Sequence, residues 1–244
     1  MTALQKWLMS RIFICLALAS GATQVLALDC ESAPVPYSAN YSVNRDEDPD
    51  GSMHVVLQRN SEDHFSYRME TRVKWGIFTA YIEEQSDFRW QDGVVLPGSF
   101  KLTQKVSLYK RRDSVEFDWQ SMKATGTRKR ADFKVDIIPG MQDKLSVYLL
   151  LAGSLCRGEY SIDAAVVSGP EPKTYKYQFQ AIEPLDTVLG RVQTIHIRRG
   201  VAGDEKQTDL WHAEEAHFLP VKMIYRDDDI ITDMRLIDIS FNDG

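Results

Sequence analysis

Two histidines and two glutamates lie within six positions of LWHAEEAHFLPVKM, residues 210–223, a composition that suits a metal centre or general acid–base chemistry. A helical zinc site of the H-E-x-x-H type needs histidines four residues apart with a glutamate beside the first. His212 and His217 are five apart, so they would diverge by roughly 140° on a helix and lie on opposite faces of a strand. The segment is therefore predicted to be a strand, a polar loop and a second strand that begins around Pro220, and no metal site is predicted.

Other sequence signals for catalysis are weak. The stretch DEDPDG, residues 46–51, imitates the start of a calcium loop, but its twelfth position is Leu57 instead of a bidentate glutamate. An acidic hairpin turn is the preferred interpretation, with weak calcium binding as the alternative. The sequence contains no G-x-S-x-G, G-x-G-x-x-G or P-loop motif. No catalytic residue and no cofactor is predicted, and a metal-dependent hydrolase is the least favoured hypothesis.

Two basic triplets stand out in a chain whose formal net charge is −6: Lys110-Arg111-Arg112 and Arg128-Lys129-Arg130. Most charge runs are solvated surfaces or turns. If the two triplets converge in the fold, however, they could hold an anionic headgroup or an acidic partner. The acidic remainder of the chain argues against nucleic acid as a partner.

The first 27 residues have the pattern of a secretory signal peptide. Lys6 and Arg11 precede an apolar run that is too short to span a bilayer comfortably, and VLA offers a cleavage site after Ala27. No second run of 18 apolar residues occurs, so no transmembrane span is predicted in the mature chain. We expect an exported protein whose residues 28–244 form a single β-rich domain.

Cysteine usage agrees with export. Once Cys15 leaves with the signal peptide, Cys30 and Cys156 are the two that remain. In an oxidising compartment they are predicted to form a disulfide, and the alternative is two separately buried thiols.

Period-two alternation dominates the rest of the sequence. In FSYRMETRVKW, residues 65–75, apolar or β-branched side chains alternate with polar ones, which is typical of a half-buried strand. The same pattern recurs at residues 115–119, 175–179 and 221–225, with turn signals such as Asp92-Gly93 between such runs. This spacing predicts an antiparallel meander of about a dozen strands.

One segment breaks the alternation. MQDKLSVYLLLAGSLC, residues 141–156, places apolar side chains at helical spacing, with Asp143 as a possible cap and Gly158 as a stop. The helix would be apolar on nearly every side, so other elements must surround it. The predicted fold is mainly β: a large curved antiparallel sheet or half-barrel wrapped around one apolar helix.

The C-terminal third carries a family resemblance. LDTVLGRVQTIHIRR and DLWHAEEAHFLPVKMIYRDDD, residues 185–199 and 209–229, combine T-x-x-G-x-x-x-T, a tryptophan strand, a short polar loop and L-P-V. This combination resembles a bacterial envelope family known as domain of unknown function 3108. The residues that match are Thr187, Gly190, Thr194, Trp211, Leu219, Pro220 and Val221. The tryptophan strand is also similar, more loosely, to that of lipoprotein-carrier proteins, whose curved half-barrel closes over a helix and shelters acyl chains. The resemblance implies a periplasmic location and carries over no catalytic residue.

Three functions follow as hypotheses. The first is a binding protein that accommodates a lipid or other apolar or amphipathic ligand in the concave sheet, with candidate lining residues Trp75, Trp90, Trp119 and Trp211. Each tryptophan could instead simply fill the core. The second is a protein-interaction scaffold in envelope biogenesis, which would hold an envelope protein at sheet edges or at the basic triplets. The hydrolase described above is the third.

Overall fold

The computed structural model describes residues 30–45, 48–75, 77–200 and 206–242, so the predicted signal peptide and residues 46–47 of the acidic turn predicted at 46–51 lie outside the described residues. Residues 48–51 belong to a strand. One antiparallel sheet contains all fourteen strands of this part of the chain. The strands are β1 Tyr37–Arg45, β2 Asp48–Arg59, β3 His64–Trp75, β4 Phe78–Gln91, β5 Val94–Val106, β6 Tyr109–Asp118, β7 Lys123–Arg128, β8 Ala131–Asp136, β9 Ile162–Val166, β10 Lys173–Thr187, β11 Gly190–Arg199, β12 Lys206–Ala213, β13 Leu219–Asp227 and β14 Ile230–Phe241. The predicted meander of half-buried strands is confirmed.

The chain enters this sheet at its centre. The strand order is β8-β7-β6-β5-β4-β3-β2-β1-β14-β13-β12-β11-β10-β9, so the chain first builds outwards to β8. It then crosses to the opposite edge, adds β9 and returns inwards until the last strand pairs with the first, with Tyr37 opposite Phe241. The sheet is curved but unclosed, and its central pairing joins residues about 200 positions apart.

The sharp hairpins depend on residues that tolerate positive φ. Asp92 and Gly93, which connect β4 and β5, have φ values of +52° and +77°. Two consecutive positive φ angles define the type I′ turn, whose twist matches that of antiparallel strands. The turn predicted from Asp92-Gly93 is therefore confirmed.

The only α-helix among the described residues, α1, spans Val147–Cys156. The helix begins later than the apolar pattern suggested, because Asp143 caps a turn that precedes it. The Asp143 Oδ1 accepts hydrogen bonds from the backbone N–H groups of Leu145 at 2.7 Å and Ser146 at 2.8 Å. Its Oδ2 accepts a 2.6 Å bond from the Ser86 hydroxyl on β4. The apolar helix is confirmed, and this carboxylate ties its entrance to the sheet.

The segment before α1 also approaches both arms of the sheet. The Gln142 backbone N–H donates to the carbonyl of Ala165 on the edge strand β9 at 2.8 Å, and its carbonyl accepts from Val167 N–H at 2.8 Å. The Gln142 side-chain amide donates to the carbonyl of Val95 on β5 at 3.1 Å. Gln142 thus links two strands that are far apart in the sheet order and holds the sheet curled around α1.

A disulfide between Cys30 and Cys156 fastens the chain ahead of β1 to the end of α1. The two Cα atoms are 5.6 Å apart, and the bond joins residues separated by 126 positions. The predicted disulfide is confirmed.

Candidate ligand-binding site

The inner face of the curled sheet is the face that packs against α1. On β12, Leu210 points inwards and pairs with Ile197 on β11 and Met223 on β13, and all three side chains are buried. Because side chains alternate along a strand, Trp211 and Asp209 lie on the outer face. This assignment separates residues that can line an interior cavity from those that cannot.

A cavity of about 270 Å³, partly open to solvent, lies between α1, the N-terminal segment and the strand ends beside the disulfide. We call it the disulfide-end cavity. Its lining residues are Cys30, Ser32, Ala33, Pro34, Val35, Tyr37, Leu57, Trp90, Leu149, Ala152, Gly153, Cys156, His217, Phe218, Leu219 and Phe241. Three parts of the chain that are distant in sequence meet here: the segment before β1, the helix and the β12–β13 loop.

The walls of this cavity are predominantly apolar. Its ionisable lining side chains are Tyr37 and His217, and burial raises the pKa of Tyr37 and lowers that of His217, so both favour the neutral form. The His217 ring lies 4.4 Å from that of Phe241, and its backbone is left-handed with φ of +50°. The volume is close to the lower end of the range for small-molecule pockets, about 300 Å³. A cavity with these walls can shelter an apolar group and offers little to a charged one.

His212 has a different environment from His217. It is fully buried, and its Nδ1 forms a 2.7 Å hydrogen bond with the carbonyl oxygen of Phe218 that fixes the loop. Its Nε2 has no hydrogen-bond partner among the residues that the structure describes, and burial lowers the pKa of His212 to about 4. Across the described ranges, no group of three or more histidine, cysteine, aspartate or glutamate side chains is arranged to hold a metal ion. The predicted strand–loop–strand is confirmed, with a 3₁₀ helix at Glu214–Ala216 as its loop.

The candidate tryptophans do not share one site. Trp90 lines the disulfide-end cavity. Trp119 follows β6 and lines a separate cleft, where its indole N–H donates to the carbonyl of Pro97 at 2.7 Å and its ring stacks on Phe117 at 5.8 Å. Trp75 ends β3, and its side chain lies outside the described part of the structure.

The position of Trp211 differs from the prediction, which placed its ring on the inner face. The ring lies on the outer face, stacked on His196 at 4.2 Å, with its N–H donating to Glu183 at 2.6 Å and the Lys222 ammonium 4.5 Å from its centroid. The period-two pattern could not decide the face, because seven successive residues of β12 are buried and the alternation disappears. Trp211 is 8% exposed and packs in a surface cluster, away from the interior.

Beside Trp211 lies an outer-face charge cluster that sequence reasoning missed. The Asp209 carboxylate, 1% exposed, accepts hydrogen bonds from His196 Nε2 at 2.8 Å and Arg198 Nε at 2.7 Å, and a further one from Arg226. Burial opposes ionisation, but these donors outweigh it and lower the pKa of Asp209. Since the Asp209 carboxylate has cationic partners on both neighbouring strands, the cluster stabilises strand pairing.

The two basic triplets converge. Ser114 pairs with Thr127 across β6 and β7, which brings the triplets to the same end of neighbouring strands. The Asp113 carboxylate accepts hydrogen bonds from Arg111 Nε and from the Lys129 backbone N–H, each at 3.1 Å. The two triplets thus lie together in the fold, which is the arrangement that an anion-binding surface requires.

The inner face at this same end also carries charged groups that the sequence did not reveal. Arg199 donates to the Thr208 hydroxyl at 2.9 Å, and its guanidinium lies 4.7 Å from the centroid of the Tyr175 ring. Glu84 is half-buried, and burial raises its pKa. The interior is thus apolar beside the disulfide and more polar towards the other end.

The fold defines a class of protein: a single large antiparallel sheet, curved like a barrel but unclosed, around one helix. A crystal structure described as "Beta-barrel-like Protein of Domain of Unknown Function DUF1849 from Brucella abortus" is similar, with a TM-score of 0.60 over 86% of this chain and 99% of that chain. The identity is 13%, so this likeness concerns the fold alone.

The particular family is given by the sequence. The family described as "Protein of unknown function (DUF3108)" matches residues 37–230, and the chain belongs to it. The resemblance noted in the C-terminal third is thereby confirmed. The search of curated proteins returned no match. Among the described helices, none has the length and apolar character to cross a bilayer.

Proposed function

We propose that the protein is an exported, periplasmic binding protein that accommodates an apolar or amphipathic ligand inside the curled sheet, with the disulfide-end cavity holding the apolar part. The observation that carries this proposal is the composition of the cavity wall. Aromatic and aliphatic side chains and a disulfide form it, and its ionisable residues favour their neutral forms. Transfer of an apolar group from water to such a wall is favourable in proportion to the area buried.

The architecture supports this proposal in a second way. Gln142 and the disulfide hold α1 against the sheet, so the cavity is assembled before a ligand arrives and little ordering entropy remains to oppose binding. The signal-peptide pattern and the disulfide both support export to an oxidising compartment. The half-barrel likeness to lipid-sheltering carriers is consistent with an acyl chain as the apolar part.

The first experiment is native mass spectrometry of the mature protein purified gently from periplasm, with an organic extract of the same sample analysed for lipids. We expect a stoichiometric adduct that is lost on denaturation. A second assay titrates the protein with the fluorescent apolar probe 1-N-phenylnaphthylamine. Ala152→Phe, which fills the cavity from α1, should weaken probe binding at least tenfold, while Ala131→Phe at an exposed strand end should not.

Thermal melting of both variants distinguishes a blocked cavity from a misfolded protein. A wild-type protein that carries no adduct and does not bind the probe would contradict the proposal. Equal probe binding by folded Ala152→Phe and wild type would place the ligand elsewhere in the sheet.

A protein-interaction scaffold is the second candidate, and β8 is the observation that favours it. Ala131–Asp136 is the last strand on one side of the sheet, and its outer edge pairs with no other strand in the described chain. An extended segment of a partner could add to it. The strand is short and carries Asp132, Lys134 and Asp136, however, which are typical protections of an edge against pairing. This feature ranks the scaffold below the ligand-binding proposal.

A further inference from the structure

Two neighbouring hairpin tips at the end remote from the disulfide expose large apolar side chains. In the β3–β4 tip, Ile77 is 93% and Phe78 47% exposed; in the β5–β6 tip, Leu108 is 99% and Tyr109 58% exposed. We call these four residues the apolar tips. Ala80 on β4 pairs with Val106 on β5, so the hairpins lie side by side, with their tips about 10 Å apart. Single exposed apolar residues are ordinary, but a cluster that protrudes from one end indicates an interaction surface.

Cations lie beside the apolar tips, on strands β5 and β6 and in the β7–β8 turn. Lys105 and Lys110 face each other across the β5–β6 hairpin, and Lys129 and Arg130 of the second triplet form the adjacent β7–β8 turn. We call the exposed cations of this region the basic rim: Lys105, Lys110, Arg112, Lys129 and Arg130. No ion pair is found for any of the five among the described residues, whereas Arg111 is paired with Asp113. The basic rim therefore has unneutralised charge on a protein whose net charge is −6.

This arrangement is unfavourable in the isolated protein. Like charges directly opposite one another on paired strands repel. Lys105 and Lys110 are such a pair, and desolvation and the neighbouring charges of Arg112 and Lys105 lower the pKa of Lys110. An anionic surface brought against the rim would replace this repulsion with attraction.

We propose that the apolar tips and the basic rim dock the protein on an anionic lipid bilayer, with the tips inserted among the headgroups and the rim cations on the lipid phosphates. The order of the side chains along the hairpin matches the layers of a bilayer surface. Leu108 is at the turn, and Lys105 and Lys110 lie two to three residues back, which at about 3.3 Å per residue is a setback of roughly 7 to 10 Å. Apolar groups of interfacial proteins insert about 5 to 10 Å, and basic residues gain from anionic headgroups.

An acidic protein surface is the competing partner. It would satisfy the rim cations, but it gives no account of four apolar side chains that project beyond them. The bilayer accounts for both features. The proposal does not depend on whether the disulfide-end cavity holds a ligand.

The test is flotation of the mature protein with vesicles of phosphatidylcholine alone or with about one third phosphatidylglycerol. We expect binding to the anionic vesicles that weakens steeply with added salt, because rim cations are screened. Ile77→Ser with Leu108→Ser should lower the partition coefficient at least tenfold. The matched control is Val188→Ser, 54% exposed at the opposite end, which should leave it unchanged.

Charge is tested separately. Lys110→Gln with Arg112→Gln should lower binding at least fivefold and reduce its salt dependence. Lys176→Gln with Arg191→Gln, which removes the same charge from exposed sites on β10 and β11, should have a much smaller effect.

Insertion of the apolar tips into the bilayer is measured with a variant that should still bind vesicles. With anionic vesicles, Leu108→Trp should show a blue-shifted emission that brominated lipids quench, and Val188→Trp should not. Absence of vesicle binding, or binding that the apolar-tip variant leaves unchanged, would overturn the proposal. So would a triplet-dependent complex with an acidic protein in the absence of any vesicle partition.

Discussion

The two ends of the curled sheet differ in how far their apolar side chains are buried and their charged side chains are paired. At the disulfide end, a covalent bond, the end of α1 and the buried His212 loop meet around an apolar cavity. At the other end, the apolar tips are exposed beside cations for which no ion pair is found among the described residues. The first end is thus held by a covalent bond and buried contacts around a cavity, whereas the second end presents exposed apolar and cationic side chains, which we propose form a surface for a partner.

Topology explains this division. The N-terminal segment, the C-terminal end of α1 and the last strand all reach the disulfide end, so long-range contacts accumulate there. The apolar tips and the basic rim belong to consecutive hairpins of a meander, whose contacts are local. Substitutions at the two ends should therefore change the stability of the protein by different amounts and in opposite directions.

The largest expected effect is loss of the disulfide. Replacing Cys30 and Cys156 together by serine should lower the free energy of unfolding, with about 5 kcal/mol as the ceiling for a loop of this length. Urea unfolding of the variant and wild type measures the difference. A change below about 1 kcal/mol would mean that the disulfide end does not dominate stability, and the proposed contrast would fail.

The next effect is the dependence of stability on pH that His212 imposes. Its pKa is about 4 in the folded protein and near 6.5 when unfolded, so the unfolded state takes up the proton first. The His212 contribution is fully present above about pH 6.5 and is lost as the pH falls towards 4, by up to about 3 kcal/mol.

This pH effect is isolated by His212→Asn, which keeps a donor for the Phe218 carbonyl but does not titrate. The variant should show a shallower loss of unfolding free energy between pH 6.5 and 4 than the wild type, since all other groups are shared. Parallel curves would show that His212 is not the group responsible.

The smallest effect is expected at the basic rim, with the opposite sign. Lys110→Gln with Arg112→Gln removes like-charge repulsion, so the melting temperature should stay unchanged or rise slightly at low salt. Arg198→Gln is the contrast, because it takes a partner from the buried Asp209 carboxylate and should lower the melting temperature. A clear destabilisation by the rim variant would assign these cations a structural role.

Several elements could be predicted from local patterns. Alternation in residues 65–75 predicted β3, Asp92-Gly93 predicted a hairpin turn, and the apolar run after Asp143 predicted α1. These predictions succeeded because strand pleat, turn conformation and helical periodicity depend on neighbouring residues. The family match also follows from sequence alone.

The face of Trp211 and the start of α1 could not be predicted from local patterns. A strand buried on both sides loses its alternation, and the capped turn at Asp143 depends on its contact with Ser86 on a distant strand. Both outcomes were decided by elements that are remote in sequence.

By itself, the sequence determined the elements and the presence of two basic triplets, and it predicted the bond between Cys30 and Cys156. Only the tertiary structure decided that β1 pairs with β14, that Gln142 links the two arms, that Trp90 faces a cavity while Trp211 faces outwards, and that the triplets converge beside exposed apolar tips. The physical reason is the distance along the sequence over which each kind of interaction acts. Periodicity and turn chemistry act over a few residues, whereas strand order, curvature and the grouping of charges arise from contacts between segments that only the folded chain brings together.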